Sequence, residues 1–306
     1  MSPLRGITLK ILSVCVFVAM ASIIKATSDS IPPGQAVFFR SLFAIPVIGV
    51  WLAMRGELHT GLTTRNPMGH VWRGLVGTSA MGLGFAGLGL LPLPEVTAIG
   101  YAAPILVVIF AAMFLGEQVR LFRLSMVALG MAGVLVVLSP RLQLDPAAAD
   151  TRETLGAVLV LLSAVCAALA QVFVRKLVQT ETVSAIVFYF SITATVLSLL
   201  TLPWGWTLPE PQVLALLICA GLLGGVGQIL LTSSYRHADA SLIAPFEYAS
   251  MILSIAVGYT VFGEVPGAAT LAGGAMVVTA GILIIWRERQ LGIERARQRK
   301  AGPSQP

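Results

Sequence analysis

The sequence predicts an all-α membrane protein in which ten transmembrane helices form two inverted five-helix repeats. Three observations predict it. Hydrophobic residues fill 57% of the 306 positions and charged residues only 11%, with a mean hydropathy of +0.88. The apolar residues gather into ten runs, each long enough for the roughly twenty residues that cross a hydrocarbon core. The last five runs repeat the first five at a shift of about 150 residues.

The first observation excludes a soluble fold. An ordinary globular chain is about a quarter charged, and a chain with so few charges would expose large apolar patches to water. Cys15, Cys166 and Cys219 all lie inside apolar runs, without metal or redox spacing, and are read as small hydrophobes. No cofactor or metal is expected.

The spans are read at 7–27, 34–54, 70–91, 95–115 and 122–139, then 155–174, 184–203, 211–232, 240–262 and 268–286. Prolines punctuate them at Pro32-Pro33, Pro92, Pro94, Pro140, Pro203, Pro209, Pro211 and Pro266. The chain is therefore divided into a first repeat over 1–140, an outer linker over 141–154, a second repeat over 155–286 and a basic tail over 287–306. The first run follows Arg5 and Lys10, but no A-x-A cleavage site follows it and it has a counterpart in the second half, so it is read as a retained helix.

Basic residues set the expected orientation. With the N-terminus inside, sixteen of the twenty Lys and Arg fall on the inner side, among them Arg55, Arg65, Arg73, Arg175, Lys176, Arg236 and six in the tail. Lys25, Arg141 and Arg152 fall outside, and Arg40 lies within span two. Positive loops mark the cytoplasmic side, so both termini are placed in the cytoplasm of a bacterial inner membrane. The net charge of +6 is thus a topology signal, and no nucleic-acid partner is implied. The tail either orients the last helix or touches anionic headgroups.

The repeat is visible residue by residue. Leu12-Ser13 falls on Leu162-Ser163, Lys25 on Arg175, Val37-Phe38-Phe39 on Val187-Phe188-Tyr189 and Ser41 on Ser191. Tyr101 falls on Tyr248, Gly116-Glu117 on Gly263-Glu264, and Gly133 on Gly281. Five spans per repeat is an odd number, so the halves enter the membrane in opposite senses. Inverted repeats characterise secondary transporters, and they also occur in channels. Two similar halves can exchange conformations, which gives two states of similar energy and an opening that alternates between sides.

The chain resembles the drug/metabolite transporter superfamily, ten-helix EamA type, from about Leu9 to Trp286. The resemblance rests on Gly116-Glu117 and Gly263-Glu264, on the segment from Tyr235 to Ser241, and on the glycines of spans five and ten. Phe38-Phe39-Arg40, Arg73-Gly74-Leu75 and Pro245-Phe246-Glu247-Tyr248 are similar to bacterial S-adenosylmethionine and riboflavin uptake members. The resemblance implies a carrier of a small organic metabolite, with spans five and ten outside the cavity, packing or forming a homodimer. A multidrug or amino-acid exporter of the same fold is the alternative, and a passive channel or scramblase is the alternative of another class. An enzyme is not expected: His59, His70 and His237 lie in or beside inner loops, and no catalytic cluster accompanies them.

Six residues are candidates for substrate binding. Arg40 is either a fixed cation for a carboxylate or phosphate or an interfacial side chain that snorkels. Glu247 is a carboxylate about seven residues into span nine, with Ser250, Ser254 and Gly258 at helical spacing. It is the candidate for binding a cation or carrying a proton, and pairing with Arg40 is a further option. Gln171 and Gln228 either contact substrate or hydrogen-bond across helices. Tyr101 and Tyr248 either stack on a flat solute or mark membrane interfaces. Glu117 and Glu264 are assigned to the positive ends of the helices that follow them. Glycines of span three (Gly74, Gly77, Gly82) and span eight (Gly221, Gly224, Gly225) point to close helix approach.

Overall fold

Proline starts and glycine-rich faces lay out the spans. The computed structural model describes residues 3–58, 60–115, 121–140, 151–237 and 244–301, and every regular element among them is helical. In the first repeat α1 is Pro3–Thr27, α2 Pro33–Leu42, α3 Ala44–Arg55, α4 Pro67–Leu88, α5 Leu93–Gly100, α6 Ala102–Leu115 and α7 Leu121–Leu138. In the second, α8 is Thr151–Leu177, α9 Val183–Leu199 and α10 Pro211–His237. A 3-10 turn at Ala244–Tyr248 leads into α11, Ala249–Phe262, and α12 is Ala268–Ala301. Pro33 and Pro67 sit in the first turn of their helices, where a missing N–H costs nothing. Asn66 and Thr182 cap α4 and α9 by accepting from Gly69 N and Ala185 N.

These elements make ten spans, because α2 with α3, α5 with α6, and the 3-10 turn with α11 each form one broken span. Six spans are long and apolar enough to cross a membrane by themselves, and α7, α9 and the ninth span are shorter apolar helices. The one remaining span, the third, is α4, which carries His70 and Arg73 in its first two turns. Several spans run past their expected limits: α1 begins at Pro3, α8 at Thr151, and α12 continues to Ala301. Gly116, Glu117, Arg141 and the stretch Ala238 to Ser241 lie outside the described residues.

Below, the bundle face at the start of α1 is the proximal face and the opposite one the distal face. The repeats are related by an inverted two-fold, and their contacts come in equivalent pairs. Span one packs on span eight (α1 on α10), and span six packs on span three (α8 on α4). Gly74 of α4 lies on Thr193 of α9, while Gly221 of α10 lies on Phe43 between α2 and α3. Both pairs are matched positions of the two repeats, so one contact is made twice. On the distal face Gln35 exchanges two hydrogen bonds with the Thr207 backbone, at 2.7 and 3.1 Å. On the proximal face Thr182 and Ser184 hydroxyls donate to Gly61 O at 2.8 and 2.7 Å.

Spans five and ten pack against each other within the chain. The backbones of α7 and α12 cross where Gly133 and Gly273 meet: a Cβ on Gly273 would stand 2.4 Å from Gly133 O. No side chain larger than hydrogen fits that crossing.

Candidate functional site

Tyr101 and Tyr248 mark the centre. Each sits at the break in its span with the same backbone geometry, φ −67° and ψ −6° for Tyr101 and φ −68° and ψ −11° for Tyr248. Their rings meet edge to face with centroids 5.1 Å apart, and both are buried. Tyr101 Oη lies 2.6 Å from Ser250 Oγ, and Thr97 Oγ1 lies 2.8 Å from Ser254 Oγ. The tyrosines therefore stack on one another and tie the two broken spans together. Helices interrupted at matching depth free backbone groups and create a place for a ligand near the midplane.

Beside them lies a cavity of about 200 Å³, lined by Lys10, Ser13 and Phe17 of α1, Thr97 of α5, and Glu247 and Ser254 of span nine. Glu247 pairs with Lys10, not with Arg40. The two ends of that pair differ: the Lys10 side chain is 1% exposed and that of Glu247 48%. Lys10 was assigned to an inner segment. Because α1 starts at Pro3, Lys10 lies two turns inside a span, where a cation requires a counter-charge.

A second ion pair closes the distal face. Lys25 Nζ stands 2.9 Å from Glu264 Oε1 and donates to Leu88 O and Leu91 O at 3.2 and 2.7 Å. Glu264 Oε2 accepts from Leu93 N at 2.8 Å. Glu264 thus caps the positive end of α5, in the other repeat, and not the helix that follows it in sequence. Gly263, at φ +67°, ends α11 in a left-handed conformation that lets the chain turn there.

The third cluster is made of cations. Arg40 of α2 is 2% exposed, so it does not snorkel, and Arg73 of α4 is 9% exposed. The Arg73 guanidinium carbon lies 3.9 Å from the Phe190 ring centroid, and that of Arg40 lies 5.6 Å from the same centroid. Arg40 and Phe190 are matched positions of the two repeats, so the two-fold that pairs α2 with α9 brings cation and ring face to face. Each arginine also rests on a glycine. A Cβ on Gly77 would meet Arg73 Nη1 at 2.1 Å, and a Cβ on Gly224 would meet Arg40 Nε at 2.8 Å. Gly77 and Gly224 are matched positions as well. Nε and Nη1 of both arginines are sealed from solvent without a hydrogen-bond partner, and so are Ser41 Oγ and Thr78 Oγ1. Among the described residues no carboxylate pairs with either guanidinium.

Of the six candidates, Tyr101, Tyr248 and Glu247 come together at the broken spans, and Arg40 stands apart with Arg73. Gln171 is exposed on α8 and Gln228 is half-buried on α10, near Gly224. The sequence reading missed Arg73, which it left beside an inner loop. The signal was present in Asn66-Pro67: a capping residue and an N1 proline start α4 there, which carries Arg73 two turns into the helix. At the proximal face Glu181 accepts from Arg65 N and Asn66 N at 2.8 and 2.9 Å and stands 3.6 Å from His70 Nε2. Burial pushes the Glu181 carboxyl up, but those backbone donors, Thr64 and His70 together bring it below its ordinary value.

An inverted repeat with paired broken spans, a largely apolar cavity between its halves that carries a few polar groups, and buried charges at several depths defines a membrane carrier of small solutes. The chain belongs to the EamA-like transporter family, whose pattern it matches over residues 4–139 and 154–287. It is 30% identical over 283 residues to the pseudopaline exporter CntI of Pseudomonas aeruginosa, covering 91% of this chain and 95% of that one. It is 27% identical to the S-adenosylmethionine uptake transporter of Rickettsia bellii, over 84% of each chain. It is 27% identical to the riboflavin transporter of Rhizobium johnstonii, over 84% of this chain and 82% of that one. A solved crystal structure 18% identical in sequence superimposes with a TM-score of 0.66 over 94% of this chain and 98% of the other, which shows the shared fold. The protein is an integral membrane transporter, and neither the family nor these relatives are enzymes.

Proposed function

We propose that this carrier moves a small organic metabolite across a bacterial inner membrane by alternating access, with both termini in the cytoplasm. The observation that carries the reading is the cavity beside Tyr101 and Tyr248, walled by helices of both repeats and floored by the Lys10–Glu247 pair. The excess of Lys and Arg at the proximal face supports the orientation. The relatives include one named as an exporter and one named as an uptake transporter, so direction follows the gradients on the solute and its coupling ion. No ATP-binding motif is present in the sequence.

Glu247 is the coupling group. Its carboxylate is half-exposed while Lys10 is buried, so in the transport cycle it can exchange Lys10 for a proton or for a cationic group of the solute. Full pH-gradient-driven uptake by Glu247→Gln would sink that role. The carrier mechanism itself is tested in proteoliposomes, where saturable flux with counterflow is expected and linear flux without it would indicate a channel. A homodimer would use the outward faces of α7 and α12, where Leu124, Leu135, Leu271 and Ile282 are exposed.

A further inference from the structure

Two cations in a low-dielectric interior repel each other, and Arg40 bears directly on Arg73 in this way. Proteins tolerate buried charge when it is paired and fully hydrogen-bonded. Here both conditions fail for both side chains: four guanidinium nitrogens are sealed and unpartnered, and no carboxylate of the described chain is in contact. Phe190 offers only its ring face, which offsets part of the charge and supplies no acceptor. The arrangement is nevertheless built with care. Matched glycines, Gly77 and Gly224, make room for one guanidinium each, and any larger residue would collide with it. Nε and Nη1 of each fork are donors with no acceptor.

We propose that Arg40 and Arg73 form an anion subsite that binds a carboxylate group of the transported solute, with Phe190 holding the two forks in place. The subsite deepens the carrier reading and rests on it: the carboxylate is the counter-ion that no described residue supplies. One repeat supplies both cations and the other supplies the ring and the glycine under Arg40, so the subsite lies across the interface that must rearrange when the carrier changes sides. Binding of the anion therefore acts on the same equilibrium that moves it. Arg40 sits roughly 10 Å along α2 from the distal end and Arg73 roughly 10 Å along α4 from the proximal end, which brings the two forks in from opposite faces. Gly224 under Arg40 is seven residues from Leu231 at the cavity wall, roughly 10 Å along α10.

The test is thermal unfolding of the purified full chain with sodium acetate, sodium succinate or sodium phosphate, each against sodium chloride at equal ionic strength. Acetate and succinate are expected to raise the midpoint beyond chloride by mass action. Arg40→Gln and Arg73→Gln are expected to weaken that response about ten- to a hundredfold in apparent affinity. Arg73→Lys should keep part of it, because the charge stays and the fork is lost. Exposed Arg55, stacked on Trp51, serves as the control, and Arg55→Gln should respond like the parent. Without added anion, Arg73→Gln should unfold no lower than the parent, since it removes an unpaired charge. A structural brace would behave in the opposite way. The proposal is overturned if carboxylates do no more than chloride, if Arg73→Gln keeps their effect, or if it lowers the ligand-free midpoint. Stabilisation by phosphate alone would overturn the carboxylate assignment. Counterflow separates the two readings: counterflow of a neutral or cationic solute with no carboxylate response leaves the carrier and removes the subsite. Carboxylate binding without counterflow does the reverse.

Discussion

Lys10 and Arg73 are both carried about two turns into a membrane-spanning helix, but their surroundings differ. Lys10 has Glu247 on it, and that carboxylate reaches half into open space. Arg73 has an aromatic ring and a second cation. Placing an arginine at the centre of a span costs about 2.5–3.5 kcal/mol on insertion scales, and Arg40 and Arg73 are both buried with no carboxylate on them among the described residues. The paired cluster is satisfied as it stands. The unpaired one is unsatisfied as it stands, and on the proposal above an anion completes it. The difference teaches that a buried ion's role is read from its partners more than from its depth.

Four changes separate the clusters. The largest effect is expected from Gly77→Leu, whose side chain would displace both Arg73 and Phe190. Overpacking of this kind costs about 1–3 kcal/mol or more, and a transport assay should show loss of uptake even where folded protein is recovered. If uptake survives, the glycine cradle is not part of the site. Next comes Glu247→Gln, which weakens a charge-assisted contact with a buried lysine. A loss of about 1.5–3 kcal/mol in chemical unfolding is expected, together with loss of pH-gradient-driven uptake, and an unchanged unfolding midpoint would break the comparison at its paired end.

Phe190→Leu keeps an apolar side chain but removes the ring between the guanidinium groups. It should lower stability by about 1–2 kcal/mol and weaken any carboxylate response, without altering the pH dependence set by Glu247. The smallest effect is expected at the proximal loop. Glu181 is held below its ordinary carboxylate value, so the stability it contributes is fully present above the unfolded value of about 4.3. It is lost as pH falls through the lower folded value. Glu181→Gln should therefore cost about 1 kcal/mol at neutral pH, and the gap to the parent should close below about pH 4. A gap that persists in acid would show that charge is not what Glu181 supplies.

Much of the scaffold was legible beforehand because it depends on local quantities. Span length follows hydrophobic run length, helix starts follow Pro32-Pro33 and Pro211, and the inverted symmetry follows from matched residues separated by an odd number of crossings. The site was legible in part. Arg40, Glu247 and the tyrosine pair stood out as polar or aromatic residues in apolar runs. Arg73 and Lys10 did not, because a boundary error of three or four residues at a helix start moves a basic residue from the headgroups into the interior. Glu264 was assigned to the wrong helix because α5 follows it in space, not in sequence.

The sequence by itself determined that the chain crosses a bilayer ten times in two opposed repeats, since hydropathy and repetition need no knowledge of neighbours. Only the tertiary structure decided which charges meet. Ion pairing falls off over a few ångströms, and Lys10 with Glu247, Lys25 with Glu264, and Arg40 with Phe190 lie far apart along the chain. Their partners are set by how the two repeats pack around their common axis, and among the described residues that packing gave Arg40 and Arg73 a ring and no carboxylate.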